Sequence, residues 1–192
     1  MESLRVLIAE DEALTRTILR ARLEKLGHVV VAEAENGAQA VEVASAQKPD
    51  VAIMDIRMPE MDGIEAARMI VSDHPCAILF LTAFGEDALV ERAGDAGALA
   101  YLMKPFRKED LAPALEIAMC RFRQLQSQGK QIDELKDALE TRKIIDRAKG
   151  ILMDRHSMTE DDAFKKIHFQ ARNQNKKMRE IAQSIITAAE LI

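Results

Sequence analysis

Through the first 120 or so residues, short unbroken apolar runs alternate with stretches of helical period. After residue 121 the runs stop and only the helical period remains. Residues 4–9 hold the run Val6-Leu7-Ile8-Ala9, as expected for a strand buried on both faces. Residues 13–26 place Leu14, Ile18, Leu19, Leu23 and Leu26 at helical spacing, and Gly27 ends that helix. Residues 29–34 are β-branched and short. Asn36-Gly37 is a turn signal, and 38–46 read as helix. Strand 51–54 follows, then the loop Arg57-Met58-Pro59-Glu60-Met61-Asp62-Gly63 and helix 64–71. The segments 77–81, 86–96, 98–103 and 108–121 then predict strand, helix, strand and helix. Five βα units predict a doubly wound α/β domain with a five-stranded parallel sheet.

Residues 108–140 read as nearly unbroken helix, with Ala118, Phe122, Leu125, Ile132 and Leu139 near a 4-3 repeat and Gly129 and Lys136 interrupting the seam. The polar stretch 124–131 is the expected hinge. Residues 141–155 are helical. Thr159 is an expected N-cap, with Asp162 at the capping-box position, for a helix carrying Ala163, Phe164, Ile167 and Ala171. A break at 173–175 precedes a last helix over 177–191. Three short helices in this span bury little surface alone. They are expected to lean on each other, on the long helix or on a second copy. The expected organisation is 1–122, an α/β domain; 123–140, a helical linker with coiled-coil character; and 141–192, a small all-α three-helix domain.

Composition is that of a globular chain, 48% hydrophobic and 31% charged. No apolar run approaches the roughly 20 residues of a membrane span. The N-terminus leads straight into a strand, without the apolar core of a signal peptide. Cys76 and Cys120 lack metal or redox spacing. These features together lead to the expectation of a cytoplasmic protein with reduced thiols. The charge is uneven. Residues 1–122 carry 13 Lys and Arg against 21 Asp and Glu, a net −8; residues 123–192 carry 14 against 11, a net +3. The halves therefore suit different partners.

The polar residues that close the strands carry the candidate chemistry. Glu10, Asp11 and Glu12 follow the first run, Asp55 the third, Thr82 the fourth, and Lys104-Pro105 the fifth. Strand C-termini of a parallel sheet open onto one edge, where ligands bind. Carboxylates gathered there repel unless a hard cation sits between them, so the pattern implies Mg²⁺ beside an anion. Asp55 is the candidate nucleophile, able to form an acyl phosphate. Asp11 and Asp55 are candidate direct ligands, with the backbone carbonyl of Arg57 in reach and Glu10 acting through a water. Lys104 would neutralise a phosphoryl oxygen, and Pro105 would fix its approach through a trans or a cis bond. Thr82 offers a hydroxyl, and Tyr101 a ring that moves in or out. Singly, each has a plainer reading as cap, turn or packing residue. Their coincidence on one edge favours the site.

Residues 4–121 resemble the receiver domain of two-component response regulators. The motifs are Ala9-Glu10-Asp11-Glu12, Met54-Asp55-Ile56-Arg57-Met58-Pro59-Glu60-Met61-Asp62-Gly63, Leu81-Thr82-Ala83 and Tyr101-Leu102-Met103-Lys104-Pro105-Phe106. Glu10 stands where an Asp is commoner. The resemblance implies the flavodoxin-like strand order 2-1-3-4-5 and phosphoryl transfer from a sensor histidine kinase to Asp55. It also implies slow self-catalysed hydrolysis and a switch in which Thr82 turns toward the phosphoryl group and Tyr101 fills the space it leaves.

Residues 132–190 resemble an ANTAR domain. The supporting stretches are Ile145-Asp146-Arg147-Ala148-Lys149-Gly150-Ile151-Leu152-Met153, Ala163-Phe164, Ala171-Arg172 and Lys177-Met178-Arg179-Glu180-Ile181-Ala182. That resemblance implies an RNA-binding output, the binding of hairpins in a nascent transcript and antitermination. Arg142, Lys149, Arg155, Arg172, Lys176, Lys177 and Arg179 are candidate phosphate contacts. Gly150 sits inside a good helix at about 1 kcal/mol against Ala, which suits close approach of another helix or of a ligand. With no Trp and Phe164 at core spacing, cationic contacts are expected to dominate over stacking. His156 and His168 read as surface or boundary residues. A phosphorylation-dependent homodimer through the linker is expected. The other readings are a signalling adaptor whose tail binds a protein and, less well supported for want of a helix-turn-helix signature, a DNA-binding regulator. The tail holds no nucleophile–base pair or metal cluster, so chemistry is confined to the first domain's own phosphoryl transfer and hydrolysis.

Overall fold

Alternation within each strand decides which helices that strand meets. The computed structural model describes residues 3–83 and 97–190. Strands β1 (Arg5–Ala9), β2 (Val29–Ala34), β3 (Val51–Asp55), β4 (Ala77–Thr82) and β5 (Ala100–Met103) pair in parallel in the order β2-β1-β3-β4-β5. This is the expected doubly wound order. Val6 and Ile8 of β1, Ile53 of β3 and Leu79 and Leu81 of β4 face one side. There they join Leu19 and Leu23 of helix α1 (Ala13–Lys25) and Leu111, Leu115 and Ala118 of helix α4 (Lys108–His156). Leu7, Ala52, Met54, Ile78 and Phe80 face the other side. They meet Ala40 and Ala44 of α2 (Gly37–Gln47) and Ile64, Ala67 and Ile70 of α3 (Gly63–Asp73). Each large side chain so enclosed contributes about 1.5–3 kcal/mol. The central strands β1, β3 and β4 are the unbroken apolar runs of the sequence, and the edge strands β2 and β5 are the mixed ones.

Polar caps set the helix starts. Asn36 accepts from the Gln39 amide at 2.8 Å and Asp62 from the Glu65 amide at 2.7 Å. Asn36-Gly37 is thus a cap and first helical residue rather than a free turn. The helix expected over 86–96 lies outside the described residues.

The chain forms two compact units, Met1–Gln126 and Ser127–Ile192, and the division falls within α4. The stretch 124–131, expected as a hinge, is helical. Its Gln, Lys and Leu residues are good helix formers, and the one glycine, Gly129, costs about 1 kcal/mol, too little to stop propagation. Ala118 is buried and Phe122 half-buried in the first unit's core, so neither belongs to an outward seam. The second unit consists of the C-terminal part of α4, α5 (Glu160–Asn173) and α6 (Met178–Glu190). Its core is Ala148, Leu152, Ala163, Ile167, Ala171, Ile181, Ala182 and Ile186. Thr159 caps α5 as expected, accepting from the Asp162 amide at 3.2 Å. The Asp162 carboxylate accepts from the Thr159 hydroxyl at 2.7 Å, because its side chain stops short of the usual backbone partner.

Candidate functional site

The pleat delivers the acidic residues to one edge. β1 ends at Ala9 and β3 at Asp55, and the two strands are neighbours, so Glu10 and Asp55 emerge side by side. Carboxylate oxygens of Glu10, Asp11 and Asp55 all lie within 4.8 Å of one another. Glu10 is fully buried, Asp55 half-buried and Asp11 exposed. Lys104, just past β5, reaches in with Nζ 2.5 Å from Asp55 Oδ2 and 2.7 Å from Glu10 Oε2. Its Lys104–Pro105 bond is cis, one of the two forms left open by the sequence. The Lys104 amide donates to the Thr82 carbonyl at 2.7 Å, which ties the β5 end to the β4 end.

One ammonium does not balance three carboxylates. Two unit charges 4.8 Å apart repel by about 3.5 kcal/mol at an effective dielectric of 20. Burial pushes the Glu10 carboxyl above its ordinary value, the Lys104 bond opposes that, and the Asp55 charge adds to it. Burial alone would lower the Lys104 ammonium, but bonds to Asp55 and Glu10 hold it above its ordinary value. Although Glu10 Oε2 is close to Lys104, no donor meets it with hydrogen-bond geometry, so a buried acceptor is left incompletely satisfied. Clustered hard oxygens and an incompletely satisfied buried acceptor are what a divalent cation such as Mg²⁺ satisfies. The donor set fits that ion.

Thr82 closes β4 and is buried, its hydroxyl donating to the Ala83 carbonyl at 3.3 Å. Tyr101 pairs in register with Phe80, and their rings stack with centroids 6.4 Å apart. Thr82 lies two residues beyond Phe80 and therefore on the same sheet face. The Arg57 amide donates to Asp55 Oδ1 at 3.2 Å, which places the start of the β3–α3 loop over the carboxylate. Arg16 carried no signal in the sequence, and Gly63 appeared there only as the end of the motif after Asp55. Arg16 donates to the Glu10 carbonyl at 2.6 Å and to Glu35 at 2.6 Å, holding the acidic loop against β2. The Gly63 amide donates to the Ile56 carbonyl at 2.9 Å, and its Cα packs directly on the Asp55 backbone.

In the second unit the candidate cations separate into two groups. Arg142 pairs with Asp146, Lys149 with Asp146 and Glu160, and Arg179 with Asp137 and Glu140. Arg155 donates to the Ala189 carbonyl at 2.7 Å. Arg172, Lys176 and Lys177 line one hollow with His168, Asn175 and Met178. Phe164, expected in the core, is 44% exposed. The buried stripe is Ala163–Ile167–Ala171, and residue 164 lies about 100° around the helix from it.

Gly150 is also corrected in part. A Cβ there would meet nothing within 4 Å, so helix packing does not require the glycine. Gly150→Ala is expected to stabilise the second unit by about 0.5–1 kcal/mol in chemical denaturation. A loss of stability would reveal a packing constraint after all.

Residues 6–116 match the response regulator receiver domain family, and residues 133–186 match the ANTAR domain family. The chain is 49% identical to the transcriptional regulatory protein PdtaR of Mycobacterium tuberculosis, over 95% of this chain and 89% of that one. Among solved structures it resembles the receiver domain of AraT, a response regulator from Geobacillus stearothermophilus, at 31% identity and a TM-score of 0.58, over 64% of this chain and 98% of that one. It also resembles the receiver domain of a Pseudomonas aeruginosa sensor histidine kinase, whose active-site cleft coordinates a magnesium ion. That match has 32% identity and a TM-score of 0.56, over 61% of this chain and 98% of that one. No described helix is long and apolar enough to cross a membrane. With a receiver profile over more than half its length and an ANTAR profile behind it, the chain belongs to the two-component response regulators.

Proposed function

We propose that a sensor histidine kinase phosphorylates Asp55 and that the ANTAR unit then binds RNA hairpins in a nascent transcript, preventing a terminator from forming. The convergence of Asp55, Asp11, Glu10 and Lys104 in one pocket carries this reading. A carboxylate oxygen of Asp55 attacks phosphorus and an acyl phosphate forms. The P–N bond to the donor imidazole breaks, and its electron pair returns to that ring with a proton. Asp11, Asp55 and the Arg57 carbonyl would hold Mg²⁺, with Glu10 acting through a water, and the ion supplies the charge that lets two anions approach. Lys104 stands close enough to neutralise a phosphoryl oxygen. Thr82 donates to another, and Tyr101 moves into the space it leaves, a local charge event biasing a two-state element. Water later hydrolyses the acyl phosphate, so the chain's own chemistry is limited to gaining and losing this group. Ile18 is exposed and lines a hollow with Glu12, Thr15, Arg22, Pro105 and Phe106, where a protein donor finds apolar contact.

Our working division is a receiver over 1–122, a linker over 123–140 and an output unit over 141–192. Leu125, Ile132, Leu135 and Leu139 are each at least half exposed along α4. Their spacing supports a phosphorylation-dependent homodimer that sets two ANTAR units side by side. Action on nascent RNA implies the cytoplasm. The same exposed stripe favours one other reading, an adaptor whose tail binds a protein. Salt separates the two. With a small phosphodonor and Mg²⁺, RNA affinity measured by anisotropy is expected to rise and to fall steeply with salt, as counterion release requires. Salt-insensitive capture of a protein, without RNA binding, would replace this reading with the adaptor.

A further inference from the structure

Phe164, His168 and Arg172 recur four residues apart, so they form one stripe along α5. The two rings stack with centroids 6.4 Å apart and planes 12° from parallel, giving a nearly continuous aromatic surface. A single exposed phenylalanine is ordinary. This one leans on an exposed imidazole, and the stripe runs into the hollow of Arg172, Lys176 and Lys177. Among the described residues these three cations have no carboxylate partner, whereas Arg142, Lys149, Lys165 and Arg179 all do. The acids at the start of α5 are themselves occupied: Glu160 by Lys149, Asp161 by Lys165 and Asp162 by the Thr159 hydroxyl. The stripe therefore has its carboxylates engaged at its N-terminal end, is aromatic in the middle and is cationic at its C-terminal end.

We infer that this stripe is where unpaired RNA bases bind. A loop base stacks on the Phe164–His168 surface, and the adjoining backbone phosphates lie at Arg172, Lys176 and Lys177. This rests on the RNA-binding reading above and deepens it. Bases inside a duplex offer no free face to a ring, whereas loop bases are splayed and do. Stacking tolerates any base, and the cations follow the backbone, so the two halves of the stripe have separate tasks. The sequence favours cationic contacts over stacking; Phe164, 44% exposed rather than buried in the core, adds a stacking face beside those cations.

The test uses the full chain, with phosphodonor and Mg²⁺, and a fluorescent RNA hairpin pool of constant stem and randomised loop. A fully paired RNA of equal length is the control. Phe164→Ala is expected to weaken pool binding about fivefold or more, since one stacked base contributes about 1–3 kcal/mol. Phe164→Tyr should retain binding, thermal melting should be unchanged, and the weak binding of the paired RNA should be unaffected. Phe169→Ala removes an exposed ring off the stripe and should leave pool binding within about twofold, because it leaves the stacking surface intact. Arg172→Ala should lower the salt slope by about one. Wild-type affinity in Phe164→Ala, or an equal loss in Phe169→Ala, overturns the stripe while leaving an RNA output standing. Altered self-association in Phe164→Ala with RNA affinity intact also overturns it and assigns the face to a second copy. Failure of the wild-type chain to bind the pool at all removes the RNA reading itself.

Discussion

Asp55→Asn is expected to abolish phosphoryl gain while leaving the chain folded. The amide has the shape of the carboxylate but neither its charge nor its nucleophilic oxygen. Its Oδ1 can still accept from the Arg57 amide, as the carboxylate does at 3.2 Å. Two electrostatic effects vanish together. Repulsions from Glu10 and Asp11 amount to about 3.5 kcal/mol each at an effective dielectric of 20, and attraction to Lys104 amounts to about 7 kcal/mol at the same dielectric. These opposing effects nearly cancel, so the variant should match wild-type stability without Mg²⁺ to roughly 1 kcal/mol. Lys104 keeps Glu10 as a partner. Intact mass measured with a small phosphodonor and Mg²⁺ should show a labile phosphoryl group on the wild-type chain and none on the variant. RNA affinity should rise with the donor only in the wild type. An equal rise in the variant would break the link between Asp55 and the output, whatever the pocket does chemically.

The sequence carried the sheet and the pocket because both depend on local signals. An unbroken apolar run can be buried only on two faces, and β1, β3 and β4 are so buried. Polar residues that end such runs must then share an edge, and Glu10, Asp55, Thr82 and Lys104 do. What stayed hidden depends on contacts distant in sequence. Arg16 reads as one more basic residue on a helix until its bond to the Glu10 carbonyl is seen. Phe164 sits beside a core position, and a step of 100° separates a buried ring from an exposed one. Arg179 and Lys149 count as free cations in a list of basic residues but are paired in the fold, so only some of the unit's cations can meet an anion. The helical state of 124–131 was hidden for a different reason, although the two compact units do divide inside that stretch. Polarity marks solvent exposure, and an exposed segment of Gln and Lys is as content in a helix as in a loop.

Gly63→Ala is expected to have the second large effect, through backbone alone. A Cβ on residue 63 would lie 2.0 Å from the Asp55 carbonyl oxygen, 3.0 Å from its carbonyl carbon and 3.1 Å from Met54 Cγ. The first two contacts are with main chain, so no rotamer change relieves them. Moving α3 away would pull Ile64, Ala67 and Ile70 off the sheet. It would also strain the bond from the Gly63 amide to the Ile56 carbonyl. Moving Asp55 instead displaces the nucleophile. Overpacking of this kind costs about 3 kcal/mol, near the upper end for one added carbon. Whatever folded protein remains should take up phosphoryl groups about 100-fold more slowly, since a displacement near 1 Å costs that much in a positioned reaction. Gly150→Ala makes the same chemical change in open space and is expected to stabilise, so the pair separates close approach from any general effect of alanine. If Gly63→Ala melted with the wild type and accepted phosphoryl groups at its rate, the loop after β3 could not be what holds Asp55 in place.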